Sequence, residues 1–243
     1  MLINASPDLR QQIGCAPALH PRHGVRDTPI ASVILTGGEI DQIVGLLSLR
    51  EGTPFDAYAT PETHALLGAN PLFEALHQVT RRAVSMNETF SPAPGLTAEL
   101  FPVPGKIPLY LEGVTDSPAG ESTAGIEIRH AGARLVVVPG AANITEQMLS
   151  RFEDADVLLF DGTLFHDDEL VRLGASAKTA RRMGHVPIDG EGGSLTALRS
   201  VGARRIYFHI NNSNPIHVAG SPERAVVRAA GWEVAEDGME IVL

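Results

Sequence analysis

The sequence predicts an α/β protein of mixed sheets covered by helices, and three observations carry that reading. In the run Ile34-Leu35-Thr36-Gly37-Gly38-Glu39-Ile40-Asp41-Gln42 a β-branched apolar stretch over residues 32–35 drops into a glycine-containing loop, and a helix with near-helical apolar spacing follows. The second half of the chain alternates strand-like and helix-like segments. The first half also holds hairpin-like pieces. With 243 residues and 44% hydrophobic content, the chain can bury a sizeable core as a single domain over residues 1–243.

Taken in order, Met1-Leu2-Ile3 leads into Asn4, Ser6, Pro7 and Asp8, the chemistry of a strand end running into a turn or a helix start. Residues 14–29 read as a surface loop. Residues 54–60 read as a short strand, and Pro61-Glu62-Thr63 starts a helix with proline at an early position. Between Ser91 and Gly125 proline and glycine are frequent, with strand-like pieces at 97–103 and 107–111, so meandering sheet is expected. Residues 125–130 and 134–138 flank Ala131-Gly132 as a hairpin would. Helices follow near 145–152 and 195–201, strands at 156–160 and 205–208, then a helix over 222–230 and a hairpin around Asp237-Gly238.

Lys plus Arg number 19 against 29 Asp plus Glu, a formal net charge of −10 that argues against non-specific binding to nucleic acid or anionic membranes. The single cysteine, Cys15, excludes an internal disulfide framework and a multi-cysteine zinc site within these residues. A reducing cytoplasmic setting fits best, and no apolar stretch approaches the roughly 20 residues that span a bilayer. The expectation is a soluble protein, with a homo-oligomer left open.

Three buried-looking strands end in ligand-type chemistry: Glu39 and Asp41, then Asp161, then His209. In layered α/β architectures such strand ends collect the active site. Carboxylates plus imidazole suit a hard or borderline divalent ion such as iron(II) or manganese. The plainer reading also stands, with Asp41 a helix cap, Glu39 solvated, and the later residues turn formers. Lys178-Thr179-Ala180-Arg181-Arg182-Met183-Gly184-His185 packs three cations and a histidine into an otherwise acidic protein. It is either a docking surface for an anionic substrate, with His185 as ligand or acid/base, or a solvated basic face. Asn211, Asn212 and Asn214 either orient a substrate or form turns. His166 lies just past the Asp161 strand end, within reach of the same cleft.

Five blocks carry a resemblance: Asn4-Ala5-Ser6-Pro7-Asp8-Leu9-Arg10-Gln11-Gln12, Gly45-Leu46-Leu47-Ser48-Leu49-Arg50-Glu51, Phe160-Asp161-Gly162-Thr163, Arg182-Met183-Gly184-His185-Val186-Pro187-Ile188 and His209-Ile210-Asn211-Asn212-Ser213-Asn214-Pro215. In this order, over nearly the whole chain, the sequence resembles the coenzyme PQQ synthesis protein B family. The resemblance implies a metallo-β-lactamase fold, an αββα sandwich, here short of the family's N-terminal strands. The superfamily loop His-x-His-x-Asp-His falls on Gly37, Glu39, Asp41 and Gln42, and only Asp41 keeps the superfamily residue. Within the family, aspartate is usual at the position of Glu39 and histidine at that of Gln42. The implied metal set is Glu39, Asp41, Asp161 and His209, with His185 a further ligand or proton-transfer group. Lys178 and Arg182 would receive substrate carboxylates, with Asn211 and Asn212 beside them.

The implied function is synthesis of pyrroloquinoline quinone (PQQ). Its main form is an iron(II)-dependent oxygenase that hydroxylates the tyrosine ring of a cross-linked Glu–Tyr precursor. The alternatives are a carrier of PQQ or its precursor and, third, a metal-dependent hydrolase. Chains of this kind carry a glycine-rich opening and a Cys-x-Cys-x-x-Cys zinc-binding run ahead of the Leu2-Ile3-Asn4 strand. Neither is in this sequence, so structural zinc is not expected.

Overall fold

The structure is a computed structural model that describes residues 1–24, 26–112 and 123–243. It falls into two compact units, the first Met1–Pro102 with Ile107–Ala124, the second Val103–Lys106 with Gly125–Leu243.

The first unit is built on β1 (Leu2–Ile3), α1 (Leu9–Cys15), β2 (Ser32–Ile34), α2 (Ile40–Ile43), β3 (Phe55–Ala59), α3 (Pro61–Gly68) and β4 (Val79–Ala83). The four strands pair in parallel in the order β1-β2-β3-β4. Every residue of β2 is buried, as a strand covered on both faces requires. Val33, Leu35, Ala57, Leu46 and Leu67 share one core cluster. Helix α3 starts where Thr60 accepts a hydrogen bond from the Thr63 amide and Pro61 supplies a first residue with fixed φ. Strands β5 (Thr89–Phe90) and β6 (Thr97–Pro102) pair antiparallel.

In the second unit, β7 (Ala124–His130) and β8 (Ala133–Val138) form the expected antiparallel hairpin. Ala131 and Gly132 turn it with φ of 49° and 91°, both positive, as a two-residue hairpin turn matched to strand twist requires. Then come α4 (Glu146–Glu153), β9 (Val157–Asp161), α5 (Glu169–Arg172), α6 (Ser194–Ala197), β10 (Arg204–Phe208), α7 (Pro222–Ala229) and β11 (Trp232–Val234). The strands of this unit lie in the order β11-β10-β9-β8-β7, and the β8–β9, β9–β10 and β10–β11 pairs are parallel. Val136, Val138, Leu158, Phe160, Ile206 and Tyr207 are wholly buried along these strands. Burying each of the larger apolar side chains contributes about 2 kcal/mol. Trp232 stacks on Tyr207 with ring centroids 4.0 Å apart. Glu127 of β7, almost without exposure, receives Arg134 of β8 at 2.7 and 2.9 Å and Arg151 of α4 at 2.9 Å, which ties three elements together.

Two expected strands are absent. Residues 109–111 form a turn of 3-10 helix, because Pro108 directs the chain into a turn that the Leu111 amide closes on the Pro108 carbonyl. The rest of the meander expected up to Gly125 falls partly on 113–122, outside the described residues. Around Asp237-Gly238 there is a turn but no hairpin, since β11 pairs in parallel with β10 and the residues after the turn form no strand.

Candidate metal centre

The parallel pairing of β9 and β10 places two of the expected residues. Phe208 is the register partner of Asp161, so Asp161 ends one strand and His209 follows the end of its neighbour. The loops beyond them are laced together: the Asn211 amide donates to the Thr163 carbonyl at 3.1 Å and Asn214 Nδ2 to the Gly162 carbonyl at 2.8 Å. Glu169, 5% exposed, braces the same loops by accepting from the Phe165 amide at 2.8 Å and from the Ser213 hydroxyl. His209 itself has φ of 54°. A side chain held in the left-handed region costs energy that the surroundings must over-determine, and such residues concentrate at functional sites.

His185 arrives from the basic segment. Arg181–Met183 form a short 3-10 turn, Gly184 follows at φ 86°, a backbone that favours glycine, and the Val186 amide docks on the Ala141 carbonyl at 2.7 Å. This sets His185 Nδ1 2.7 Å from Asp161 Oδ2. The His185 and His209 rings lie nearly parallel, 5.8 Å between centroids.

Asp161 has no exposure and accepts from the Ala141 amide at 3.2 Å, the Thr163 amide at 3.1 Å and the Thr163 hydroxyl at 2.6 Å, besides His185. Burial alone would raise its pKa; the two imidazoles outweigh burial and hold the carboxyl well below the usual carboxylate range. One ligand atom from each of Asp161, His185 and His209 can be chosen so that all lie within 4.8 Å of one another. A carboxylate with two imidazoles, converged and without thiolate, is a donor set for a borderline divalent ion, so these residues fit a metal.

Glu39 and Asp41 belong to the first unit. Glu39 caps α2: its side chain accepts from the Gln42 amide, and Gln42 Oε1 accepts from the Glu39 amide at 3.2 Å. Gln42 Nε2 also reaches Thr36 Oγ1 at 3.5 Å, and Thr36 is held by the side chain of Asn4 at 2.8 and 2.9 Å. The cap is therefore Glu39 rather than Asp41, which is exposed in the first turn. Lys178 is half-buried and Arg182 exposed on the segment that delivers His185. Asn211 spends its amide on its own loop, donating to Ser213 Oγ at 2.9 Å and accepting from the Asn212 amide at 3.0 Å, whereas Asn212 is exposed. His166 lines a different place from the trio, a cavity of about 530 Å³ shared with Arg172, Arg181 and Asp189. Thr163 and Glu169 escaped the sequence reading, since a threonine after Asp-Gly reads as part of a turn and a glutamate in a short helix reads as exposed.

The beta-lactamase superfamily domain model matches residues 1–210. Coenzyme PQQ synthesis protein B of Methylobacterium nodulans is 50% identical over 248 residues, covering 100% of this chain and 83% of that protein. The protein of the same name from Ruegeria pomeroyi is 49% identical over 246 residues with the same coverage. A crystal structure of zinc-bound PqqB from Methylobacterium extorquens superposes with a TM-score of 0.96 at 47% identity, covering 100% of this chain and 83% of that one. With the fold, the strand-end chemistry and these likenesses in agreement, the chain belongs to the coenzyme PQQ synthesis protein B family and has the metallo-β-lactamase fold.

Proposed function

We propose that the chain acts in PQQ synthesis as an iron(II)-dependent oxygenase that hydroxylates the tyrosine ring of the cross-linked Glu–Tyr precursor. The observation that carries this reading is the trio Asp161, His185 and His209, two imidazoles and a carboxylate gathered in one cluster. That donor set with open positions is the one used by non-haem iron(II) oxygenases. A relative in this family is known in a zinc-bound crystal structure.

Asp161, His185 and His209 would hold the ion, and iron(II) bound there would supply oxygen activation. The remaining work belongs to the chain's own side chains. Asp161 stays ionised in its buried position and anchors His185 through Nδ1, which leaves Nε2 as the ring atom that His185 can offer to the ion. Lys178 and Arg182 receive the precursor's carboxylates on a protein whose net charge of −10 otherwise repels them. Glu39 and Gln42 hold the loop after β2 through their capping box.

The test is metal content of protein purified with and without added iron(II), beside Asp161→Ala and Asp41→Ala, followed by oxygen uptake with the cross-linked precursor. About one equivalent of iron, lost in Asp161→Ala and accompanied by precursor-dependent oxygen uptake, is the expected result. Retention of iron by Asp41→Ala would leave the centre to the second unit. Tight binding of the precursor without oxygen uptake would transfer the assignment to a carrier.

A further inference from the structure

The Thr163 hydroxyl lies within hydrogen-bond distance of every member of the trio: 2.6 Å from Asp161 Oδ1, 3.1 Å from His185 Nδ1 and 3.0 Å from His209 Nδ1. A hydroxyl has one proton to give and two lone pairs. Two oxygens compete for that proton, Asp161 Oδ1 at 2.6 Å and the His209 carbonyl at 3.1 Å, and the shorter bond to an ionised acceptor is the stronger. Once the proton is given to Asp161, Thr163 can only accept from the rings. His209 Nδ1 is 3.9 Å from the nearer Asp161 oxygen, beyond hydrogen-bond reach, so Thr163 is its link to the carboxylate. The chain of bonds then runs His209 Nδ1–H to Thr163 Oγ1, Thr163 O–H to Asp161 Oδ1, and His185 Nδ1–H to Asp161 Oδ2.

We propose that Thr163 is a positioning residue that couples Asp161 to His209 and fixes His209 as the Nδ1–H tautomer, so that Nε2 is the ring atom offered to a metal. Asp161 thus orients both histidines, one directly and one through Thr163. The threonine does for His209 what an outer-shell carboxylate does for a metal-binding histidine, and losing such a partner costs about 10- to 100-fold in metal affinity. The affinity half of the proposal rests on the metal-centre reading above; the tautomer half does not.

The experiment is ring ¹⁵N spectroscopy of the histidines in metal-free protein, with zinc(II) titration as a second readout, on wild type, Thr163→Ser, Thr163→Val and Thr163→Ala. The expected result is an Nδ1–H His209 in wild type and Thr163→Ser, and its loss in Thr163→Val and Thr163→Ala with a zinc(II) affinity about 10- to 100-fold lower. Thr163→Ala removes the hydroxyl without placing a new methyl in the cluster, so it answers the question should Thr163→Val fail to fold. An Nδ1–H His209 that persists in both hydroxyl-free variants overturns the proposal. Should wild type bind neither zinc(II) nor iron(II), the metal-centre reading falls, and with it the affinity half, while the ring nitrogens still decide the role of Thr163.

Discussion

At the level of single residues, the centre depends on space as much as on donors. A Cβ added at Gly140 would lie 3.3 Å from His185 Cε1 and 3.6 Å from Nδ1, so the imidazole, not the backbone, would have to give. Gly140→Ala is expected to keep the fold and lower metal affinity severalfold, as crystal structure and zinc(II) titration together would reveal; unchanged affinity would show that the ring tolerates the shift. Glu169→Gln leaves the loops past β9 and β10 with a weaker brace, because two donors lose a charged acceptor. The expected cost is about 2 kcal/mol, measurable by urea denaturation. Asp161 and His209 could be singled out in the sequence only because several strand ends carry ligand-type side chains together; each alone reads as a turn former. Thr163 could not, since its role consists of three distances that only the folded chain brings about. The plain reading put the helix cap on Asp41 and left Glu39 solvated, whereas Glu39 is the cap, because a carboxylate three residues before an amide can pair with it reciprocally.

At the level of elements, the parts readable from residues are those whose signals are local. Thr60-Pro61, Thr145 and Ser221-Pro222 each cap a helix with a hydroxyl that accepts from the amide three residues on, and the three helices begin where the sequence places them. Thr145→Ala should therefore cost about 1 kcal/mol in a thermal or urea melt. The hairpin of β7 and β8 was readable too, although its turn carries alanine where the positive φ of 49° suits asparagine. Ala131→Asn is expected to stabilise the protein by about 1 kcal/mol, and an unchanged melt would mean that the alanine is not strained. The elements that depart from expectation depend on signals that are not local. Asp237-Gly238 forms a turn, but a hairpin also needs a returning strand with an edge to join, which the order of residues does not disclose. The segment 107–111 has strand-like composition, and the turn after Pro108 won.

At the level of the whole molecule, charge sets the response to acid. Glu127 is buried, and burial alone would raise its pKa; Arg134, Arg151 and Arg129 outweigh burial and hold the carboxyl below its ordinary value. A depressed carboxyl contributes stability that is complete above the unfolded-state value of about 4.3 and is lost as pH falls through the lower folded-state value. Asp161 acts in the same direction. Unfolding free energy should thus fall steeply below about pH 4. In Glu127→Gln, about 3 kcal/mol less stable at neutral pH, that acid slope should be shallower. An unaltered slope in the variant would place the acid sensitivity elsewhere.

The left-handed backbone at His209 bears on how such a chain ages in evolution. An L-residue there costs about 1 to 2 kcal/mol that glycine would largely avoid. His209→Gly should melt about 2 °C higher while losing the centre. A gene copy released from its chemistry could gain endurance at this position. A histidine at such a position is what selection on the proposed centre, rather than on durability, would hold in place.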